Sequence, residues 1–114
     1  MPQPIRMTLA VTSVLAAFLA DPGEPRYGLD LMRATNQPSG TLYPILLRLQ
    51  RAGWVVAEWE EIDAAAASRP ARRYYRLTPD GLAAARLELA ELYQQLHQAR
   101  TGTGRARPAL EFGQ

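Results

Sequence analysis

The 114-residue sequence contains no cysteine, no lysine and only one histidine, His97. Without cysteine the chain can form no disulfide, offers no thiol nucleophile and cannot build a Cys/His zinc site. The sequence therefore predicts no metal and no other cofactor. It also indicates that packing alone holds the fold together.

A long hydrophobic run is missing as well. The most apolar stretch, residues 9–20, is shorter than the roughly 20 residues that a transmembrane helix requires. A lone Arg6 ahead of that stretch, with no clear cleavage site, is a poor match to a signal peptide. We therefore expect a cytoplasmic protein that has no membrane partner.

Catalytic groups are equally scarce. The sequence has no cysteine and no histidine beside a nucleophile. General acid–base and covalent catalysis both need such groups within hydrogen-bonding reach of each other. We therefore expect that the protein is not an enzyme.

Arginine, by contrast, is abundant, because all 13 basic residues are arginines. The formal net charge is only +2, but the isoelectric point is about 9.4. A GC-rich coding sequence explains much of the missing lysine, although it does not explain where the arginines lie. Arginine forms bidentate contacts to phosphate and to guanine, so this composition favours a nucleic-acid partner.

Three helices are predicted in the first half of the chain, whose total length suits one hydrophobic core. Apolar residues recur at helical spacing over residues 7–20 and 39–52, and a shorter helix is predicted over residues 27–34. Ser39 is expected to cap the third helix, and Gly53 is expected to follow its last turn. The apolar stripe of the third helix should face the core: Leu42, Ile45, Leu46 and Leu49.

A β-hairpin is predicted after the third helix. Residues 54–60 and 73–77 are rich in aromatic and β-branched residues, which indicates two strands joined by a long, mobile tip. Trp54 and Trp59 are expected in the core of the hairpin. Opposite charges on the two strands are expected to pair: Glu58 and Glu60 with Arg73 and Arg76.

A helix followed directly by a hairpin with a basic tip is typical of a winged helix-turn-helix, a mainly α fold with a β-hairpin wing. We therefore divide the chain into four parts. A flexible N-terminus is expected over residues 1–6 and a winged helix-turn-helix DNA-binding domain over residues 7–78. A dimerisation helix is expected over residues 79–99 and a disordered tail over residues 100–114.

The last helix follows an N-cap and N1 pair, Thr78 and Pro79. Its apolar residues alternate three and four apart, which is a heptad seam that needs a partner. We expect the same helix of a second subunit to cover it, with the first helix closing the interface. The alternative is that the seam packs on its own winged domain, aided by Leu87 and Tyr93. The expected interface residues are Leu82, Ala85, Leu89, Leu92 and Leu96.

The motifs YGLDLM at residues 27–32, GTLYPILLRLQRAG at 40–53, EWEE at 58–61 and RPARRYYRLTPDG at 69–81 together resemble the PadR family of transcriptional regulators. The resemblance covers roughly residues 7–96, with the motifs in the family's order and spacing. It implies a homodimeric winged-helix repressor, often of a nearby transport or detoxification gene and often released by a small aromatic or hydrophobic effector. The short last helix is similar to the compact branch of the family, with a single C-terminal helix.

Two features depart from the family pattern. The last helix has no tryptophan, which some multidrug-binding relatives stack on a flat ligand between the subunits, so the resemblance does not extend to that drug pocket. An acidic run also lies beside the wing and would repel phosphates unless its side chains point away from the duplex. The run consists of Glu58, Glu60, Glu61 and Asp63.

The resemblance also implies a DNA-facing set on the third helix and the wing. Short hydroxyls and a helix N-terminus can reach phosphates or base edges, and an arginine can fork onto guanine. Other roles stay open, since Ser39 can act as a cap, Tyr43 can pack on the hairpin and Arg51 can be a solvated charge. The implied set is Ser39, Thr41, Tyr43, Arg48 and Arg51 on the helix, and Arg69, Arg72 and Arg73 on the wing.

These features favour a dimeric regulator that binds double-stranded DNA. Two symmetric subunits would read two half-sites about one helical turn apart, so the operator is expected to be pseudo-palindromic. The alternative is a winged-helix interaction module whose hairpin or exposed aromatic residues bind a protein partner without DNA.

Overall fold

The computed structural model describes residues 2–101, and within them the chain forms five helices and one small sheet. The order of elements is α1 (Leu9–Leu19), β1 (Arg26–Tyr27), α2 (Gly28–Thr35), α3 (Ser39–Arg51), β2 (Val55–Trp59), α4 (Ala64–Ala67), β3 (Arg73–Leu77) and α5 (Pro79–Thr101). The predicted fold class, a mainly α winged helix-turn-helix, is confirmed. No helix in this part of the chain is both long and apolar enough to cross a membrane.

The hydrophobic core lies between the first three helices and the inner face of the sheet. The whole predicted stripe of α3 is inside it, because none of its four residues exposes more than 3% of its surface. Burying a side chain of this size contributes about 1.5–3 kcal/mol. The other core residues are Val11, Val14, Leu15, Ala17, Phe18, Leu31, Ala52, Trp54, Val55, Tyr75, Leu77 and Ala85.

The N-terminal segment is attached to the domain, which corrects the expectation of a flexible segment over residues 1–6 for the described part. The N–H of Gln3 donates to the carbonyl of Ala52 at 2.8 Å. The indole Nε1 of the buried Trp54 donates to the carbonyl of Gln3 at 2.6 Å. The segment therefore supplies the hydrogen bond that a buried indole N–H needs. α1 begins after Thr8, whose hydroxyl accepts the N–H of Val11 at 3.1 Å.

α3 begins one residue earlier than predicted, so the expectation that Ser39 caps it is wrong. Pro38 holds the N-cap position in an extended conformation, and its carbonyl accepts the N–H groups of Thr41 and Leu42, both at 3.0 Å. Ser39 is already the first helical residue, and no side chain caps the helix. A residue with helical dihedral angles cannot turn its own hydroxyl back onto the first turn.

The other end of α3 is as predicted. Gly53 adopts a φ of +83°, in the left-handed region that favours glycine. The N–H of Trp54 donates to the carbonyl of Leu49 at 2.9 Å, and the N–H of Gly53 to that of Gln50 at 3.1 Å, which is a Schellman termination. This turn leads α3 directly into β2.

The sheet is antiparallel with the strand order β1-β3-β2, and its register runs from Val55 opposite Leu77 to Trp59 opposite Arg73. β1 was not anticipated, because Tyr27 was expected to start the second helix and instead pairs with Tyr74. The wing tip also contains a feature beyond the predicted mobile loop. It folds into the single turn α4, which the Asp63 carboxylate caps.

α5 packs on its own domain for only part of its length. Thr78 caps it as predicted, because its hydroxyl accepts the N–H of Gly81 at 2.8 Å. Ala85 is fully buried in the core of its own subunit, so the expectation that it faces a second subunit is wrong. Leu82 and Leu89 are partly buried against the same core. For this first half of the helix the alternative, packing on its own winged domain, is correct.

The second half of α5 is exposed. Leu92 is half-buried, and Leu96 exposes 61% of its surface. Leu87 and Tyr93 expose 61% and 68%, so the idea that they pack on the winged domain is wrong. The helix continues through Thr101, and the rest of the tail that was expected to be disordered lies outside the described residues.

Candidate nucleic-acid interface

The outward side of α3 is polar, because its apolar stripe faces the core. Thr41, Arg48 and Arg51 are exposed, as is Ser39 at the start of the helix. Leu47 lies among them and exposes 43% of its surface. The exposed hydroxyl and guanidinium groups of this surface can donate hydrogen bonds to bases or phosphates when the helix lies in a DNA groove.

Tyr43 connects this surface to the helix before it. Its side chain is 42% exposed, but its hydroxyl lies directly against Gly28, the first residue of α2. A Cβ atom at position 28 would collide with that hydroxyl. Glycine at position 28 therefore lets the Tyr43 ring lie against the start of α2, and a larger residue there would displace the ring. The alternative role considered for Tyr43 was packing on the hairpin, whereas its hydroxyl lies against α2 and the residue keeps 42% of its surface exposed.

A cleft of about 550 Å³ separates α2, α3 and the root of the wing. Tyr43 borders it from α3, and Arg72 and Arg73 border it from the wing. Arg33 borders it from α2 and was not included in the implied DNA-facing set. Its position on the polar side of the second helix was the feature of the sequence that could have identified it. The cleft thus brings arginines from separate parts of the sequence beside the outward surface of α3.

Two wing arginines rest on aromatic rings. The guanidinium carbon of Arg72 lies 5.9 Å from the centroid of Tyr27, and that of Arg73 lies 5.5 Å from the centroid of Trp59. Such cation–π contacts leave the in-plane N–H groups available to other acceptors. Trp59 is 60% exposed, so the expectation of a core position is wrong for it, whereas Trp54 at 2% is in the core as predicted.

Arg69 has a different environment, since it forms a bidentate ion pair with Glu60. Its Nη1 lies 2.7 Å from Glu60 Oε1 and its Nη2 lies 3.1 Å from Oε2. The Tyr27 hydroxyl donates to Oε2 at 2.7 Å, and the backbone N–H of Arg72 donates to Oε1 at 3.0 Å. We call these four residues the Glu60 cluster.

Contacts within the Glu60 cluster shift the pKa values of Glu60, Tyr27 and Arg69. Hydrogen bonds from Arg69, and then from Tyr27, lower the pKa of Glu60 from 4.5 to about 2. The hydrogen bond between Tyr27 and Glu60 raises the pKa of the Tyr27 hydroxyl. The Arg69 guanidinium also has a raised pKa, because Glu60 stabilises its charged form. At neutral pH the Glu60 carboxylate is therefore ionised, and the guanidinium of Arg69 balances its charge.

The predicted cross-strand ion pairs formed only in part. Arg76 pairs with Glu58 at 2.7 Å, as expected. Glu60 pairs with Arg69 rather than with Arg73 or Arg76, because it lies beyond the last pair of the ladder, opposite the turn. Two of the four carboxylates in the acidic run are thus matched by arginines. This reduces the repulsion that the run would exert on a duplex.

The sequence matches the Transcriptional regulator PadR-like family model over residues 17–87, which is more than half of the chain. The chain belongs to the PadR-like family. This PadR-like protein is therefore a DNA-binding transcription regulator at the level of its family. No curated protein matches the chain closely enough to add to this.

Solved structures agree with the family assignment. A PadR-like transcription factor from Bacteroides fragilis is 28% identical, with a TM-score of 0.58, and the match covers 77% of this chain and 85% of that one. The protein smu.1704 from Streptococcus mutans UA159 is 25% identical, with a TM-score of 0.67, and the match covers 96% and 100%.

A more distant likeness exists to MepR from S. aureus, solved as a complex with DNA. It is 16% identical, with a TM-score of 0.61, over 83% of this chain and 71% of that one. At this identity the match concerns the fold alone. It shows that this PadR-like protein shares its overall fold with a protein whose structure was solved together with DNA.

Proposed function

We propose that this PadR-like protein is a homodimeric, cytoplasmic repressor that binds a pseudo-palindromic operator. In this proposal α3 enters the major groove, and the wing contacts the adjacent backbone. One observation carries it: Arg72 and Arg73 of the wing border the same cleft as Tyr43 of α3, so the outward side of the helix and the wing arginines meet at one place. The proposed contacts are Ser39, Thr41, Tyr43, Arg48 and Arg51 on the helix, and Arg72 and Arg73 on the wing.

The homodimer is supported by the part of α5 that its own domain leaves uncovered. Leu92 and Leu96 continue the apolar stripe beyond the winged domain, and Leu9 at the start of α1 exposes 84% of its surface nearby. A two-fold pairing of these surfaces would bury them and repeat α3 at a second half-site. In this proposal the interface is formed by Leu92, Leu96 and the part of Leu89 that its own domain leaves exposed, with Leu9 at its edge.

A groove of about 390 Å³ between α1 and α5 is the place we propose for a small hydrophobic or aromatic effector. Met7 and Leu9 line it from one side, and Leu89 and Leu92 line it from the other. Because Leu9, Leu89 and Leu92 belong both to this groove and to the proposed subunit interface, an occupant would change how the two subunits meet. Such a change would alter the spacing of the two α3 helices and release the operator.

The first test is the DNA that the purified protein retains from a pool of random genomic fragments. Sequencing should return an inverted repeat with half-sites about one helical turn apart. A single unrepeated site, or no enrichment, would contradict the proposal.

The second test measures binding to the enriched duplex by fluorescence anisotropy. Arg48→Ala with Arg51→Ala, and Arg72→Ala with Arg73→Ala, should each weaken binding at least tenfold, since each pair removes two charged contacts. Arg86→Ala is the control, because Arg86 is exposed on α5. Equal losses in the control and in the two double variants would contradict the proposed surface.

A second candidate function is suggested by the exposed apolar side chains of β2, an edge strand. Trp59 exposes 60% and Val56 36% of their surfaces. A protein partner could bind there without DNA, as in other edge-strand interactions. In that case Arg72→Ala with Arg73→Ala would leave partner binding largely intact.

A further inference from the structure

The three arginines of the wing turn differ in how their charge is used. Arg69 forks both terminal nitrogens onto Glu60, whereas Arg72 and Arg73 have no ion pair with a carboxylate within residues 2–101. Arg72 and Arg73 lie on aromatic rings, which orient a guanidinium without neutralising it. The wing therefore presents two uncompensated charges rather than three.

The Glu60–Arg69 pair is partly shielded from water. The side chain of Glu60 exposes 11% of its surface and that of Arg69 exposes 33%. Both Glu60 oxygens also accept a second donor, the Tyr27 hydroxyl on one and the Arg72 N–H on the other. If Arg69 left to bind a phosphate, it would leave a largely covered carboxylate unpaired beside the negative duplex. That exchange is unfavourable, because charge pairs with extra hydrogen bonds cost more to break than isolated surface pairs.

We propose that Glu60 is a specificity-determining residue that masks Arg69 and so limits the wing's sequence-independent attraction for DNA. This inference rests on the proposed DNA-binding function. Phosphate contacts by arginine supply most of the non-specific affinity of such proteins, and each one steepens the salt dependence. Masking one arginine per subunit lowers non-specific affinity more than it lowers recognition by α3. The same carboxylate holds the backbone of Arg72 in place.

The test uses the full-length protein and a duplex of random sequence, with the association constant measured by anisotropy over a series of NaCl concentrations. In Glu60→Gln the freed Arg69 should bind random DNA more tightly at low salt. The slope of log affinity against log salt should steepen by about 0.9 per subunit, the value for one added phosphate contact. In the double variant with Arg69→Gln the slope should return to that of the wild type.

Glu61→Gln is the matched control, because Glu61 is the next residue, is exposed and carries the same charge. It should leave the slope unchanged, whereas an equal steepening in Glu61→Gln would mean that net charge alone is responsible and would overturn the inference. An unchanged slope in Glu60→Gln would overturn it as well. Thermal melts followed by circular dichroism would verify that each variant is folded.

A second comparison does not require removal of Glu60. Arg69→Gln alone should leave the salt slope at its wild-type value, whereas Arg72→Gln should make it shallower by about 0.9 per subunit. Equal reductions in the two variants would show that Arg69 already contacts phosphate, which would overturn the inference. A wild-type protein that binds no duplex at any salt concentration would instead refute the proposed function itself.

Discussion

α3 and α5 carry the same kind of apolar stripe, yet the structure uses the two stripes differently. In α3 all four stripe residues are buried within the subunit, from Leu42 at 0% to Ile45 at 3%. In α5 exposure rises along the stripe from 0% at Ala85 to 61% at Leu96. The difference shows that periodicity identifies the apolar side of a helix but does not identify what covers it. Coverage depends on which other elements reach that part of the helix.

The largest expected effect is the loss of a buried stripe residue in α3. Leu46→Ala should lower the free energy of unfolding by about 2–5 kcal/mol, because it leaves a cavity in the core. Leu47→Ala is the matched control, since this adjacent leucine lies on the outward side and is 43% exposed. It should change stability by only about 0.5 kcal/mol. Urea denaturation followed by circular dichroism measures both, and similar losses in the two variants would contradict the burial of the stripe.

A smaller effect is expected from enlarging the buried end of the α5 stripe. Ala85→Leu should destabilise the fold by about 1–3 kcal/mol, because a fully buried alanine has no space for three more carbon atoms. The same change at the exposed Ala90 should be close to neutral. Denaturation curves compare the two. A neutral Ala85→Leu would mean that α5 does not pack on its own domain at this position.

At the exposed end of the stripe we expect a change in assembly rather than in the fold of the subunit. Leu96→Asp should shift sedimentation equilibrium toward the monomer, since it places a charge in the proposed interface. Leu87→Asp is matched to it, because both leucines lie on α5 and expose 61% of their surfaces. Leu87 is off the seam and should leave association unchanged. Dissociation in both variants, or in neither, would contradict the proposed seam.

The smallest expected effect is a loss of stability at low pH. It should affect the wing more than the apolar packing of α3 and α5. The folded pKa of Glu60 is about 2, below its ordinary value of 4.5, so the stabilisation from its bonds is complete above pH 4.5. This stabilisation is lost as the pH falls from 4.5 toward 2. Glu60→Gln should therefore show a weaker loss of thermal stability over this range than the wild type. Parallel curves for the two proteins would contradict the shifted pKa.

Much of the winged domain follows from local sequence rules. The stripe of α3 and the left-handed turn at Gly53 come from spacing and from glycine's tolerance of positive φ, both of which are local. The Thr78 cap is local in the same way. These features are predictable because their partners lie within a few residues along the chain.

Most of the wrong predictions arise where a contact between residues distant in the sequence determines the structure. Ala85 is buried because α1 and the sheet lie against it, and a heptad pattern contains no information about them. The Ser39 cap failed for a local reason, since Pro38 holds the extended N-cap conformation and Ser39 is already helical. Glu60 paired with Arg69 because the wing turn folds back, so the charge of the candidate surface could not be counted from the sequence alone.

Trp54 and Trp59 are two natural fluorophores that report on different parts of the protein, because one is buried and the other is exposed. Trp54 lies in the core at one end of the hairpin and is shielded from dissolved quenchers, so its emission follows global unfolding. Trp59 lies at the last residue of β2 and is open to iodide, so quenchable emission follows the surroundings of the wing. These are the two tryptophans of the chain. One unlabelled sample can therefore follow melting of the core and events at the wing tip in the same cuvette.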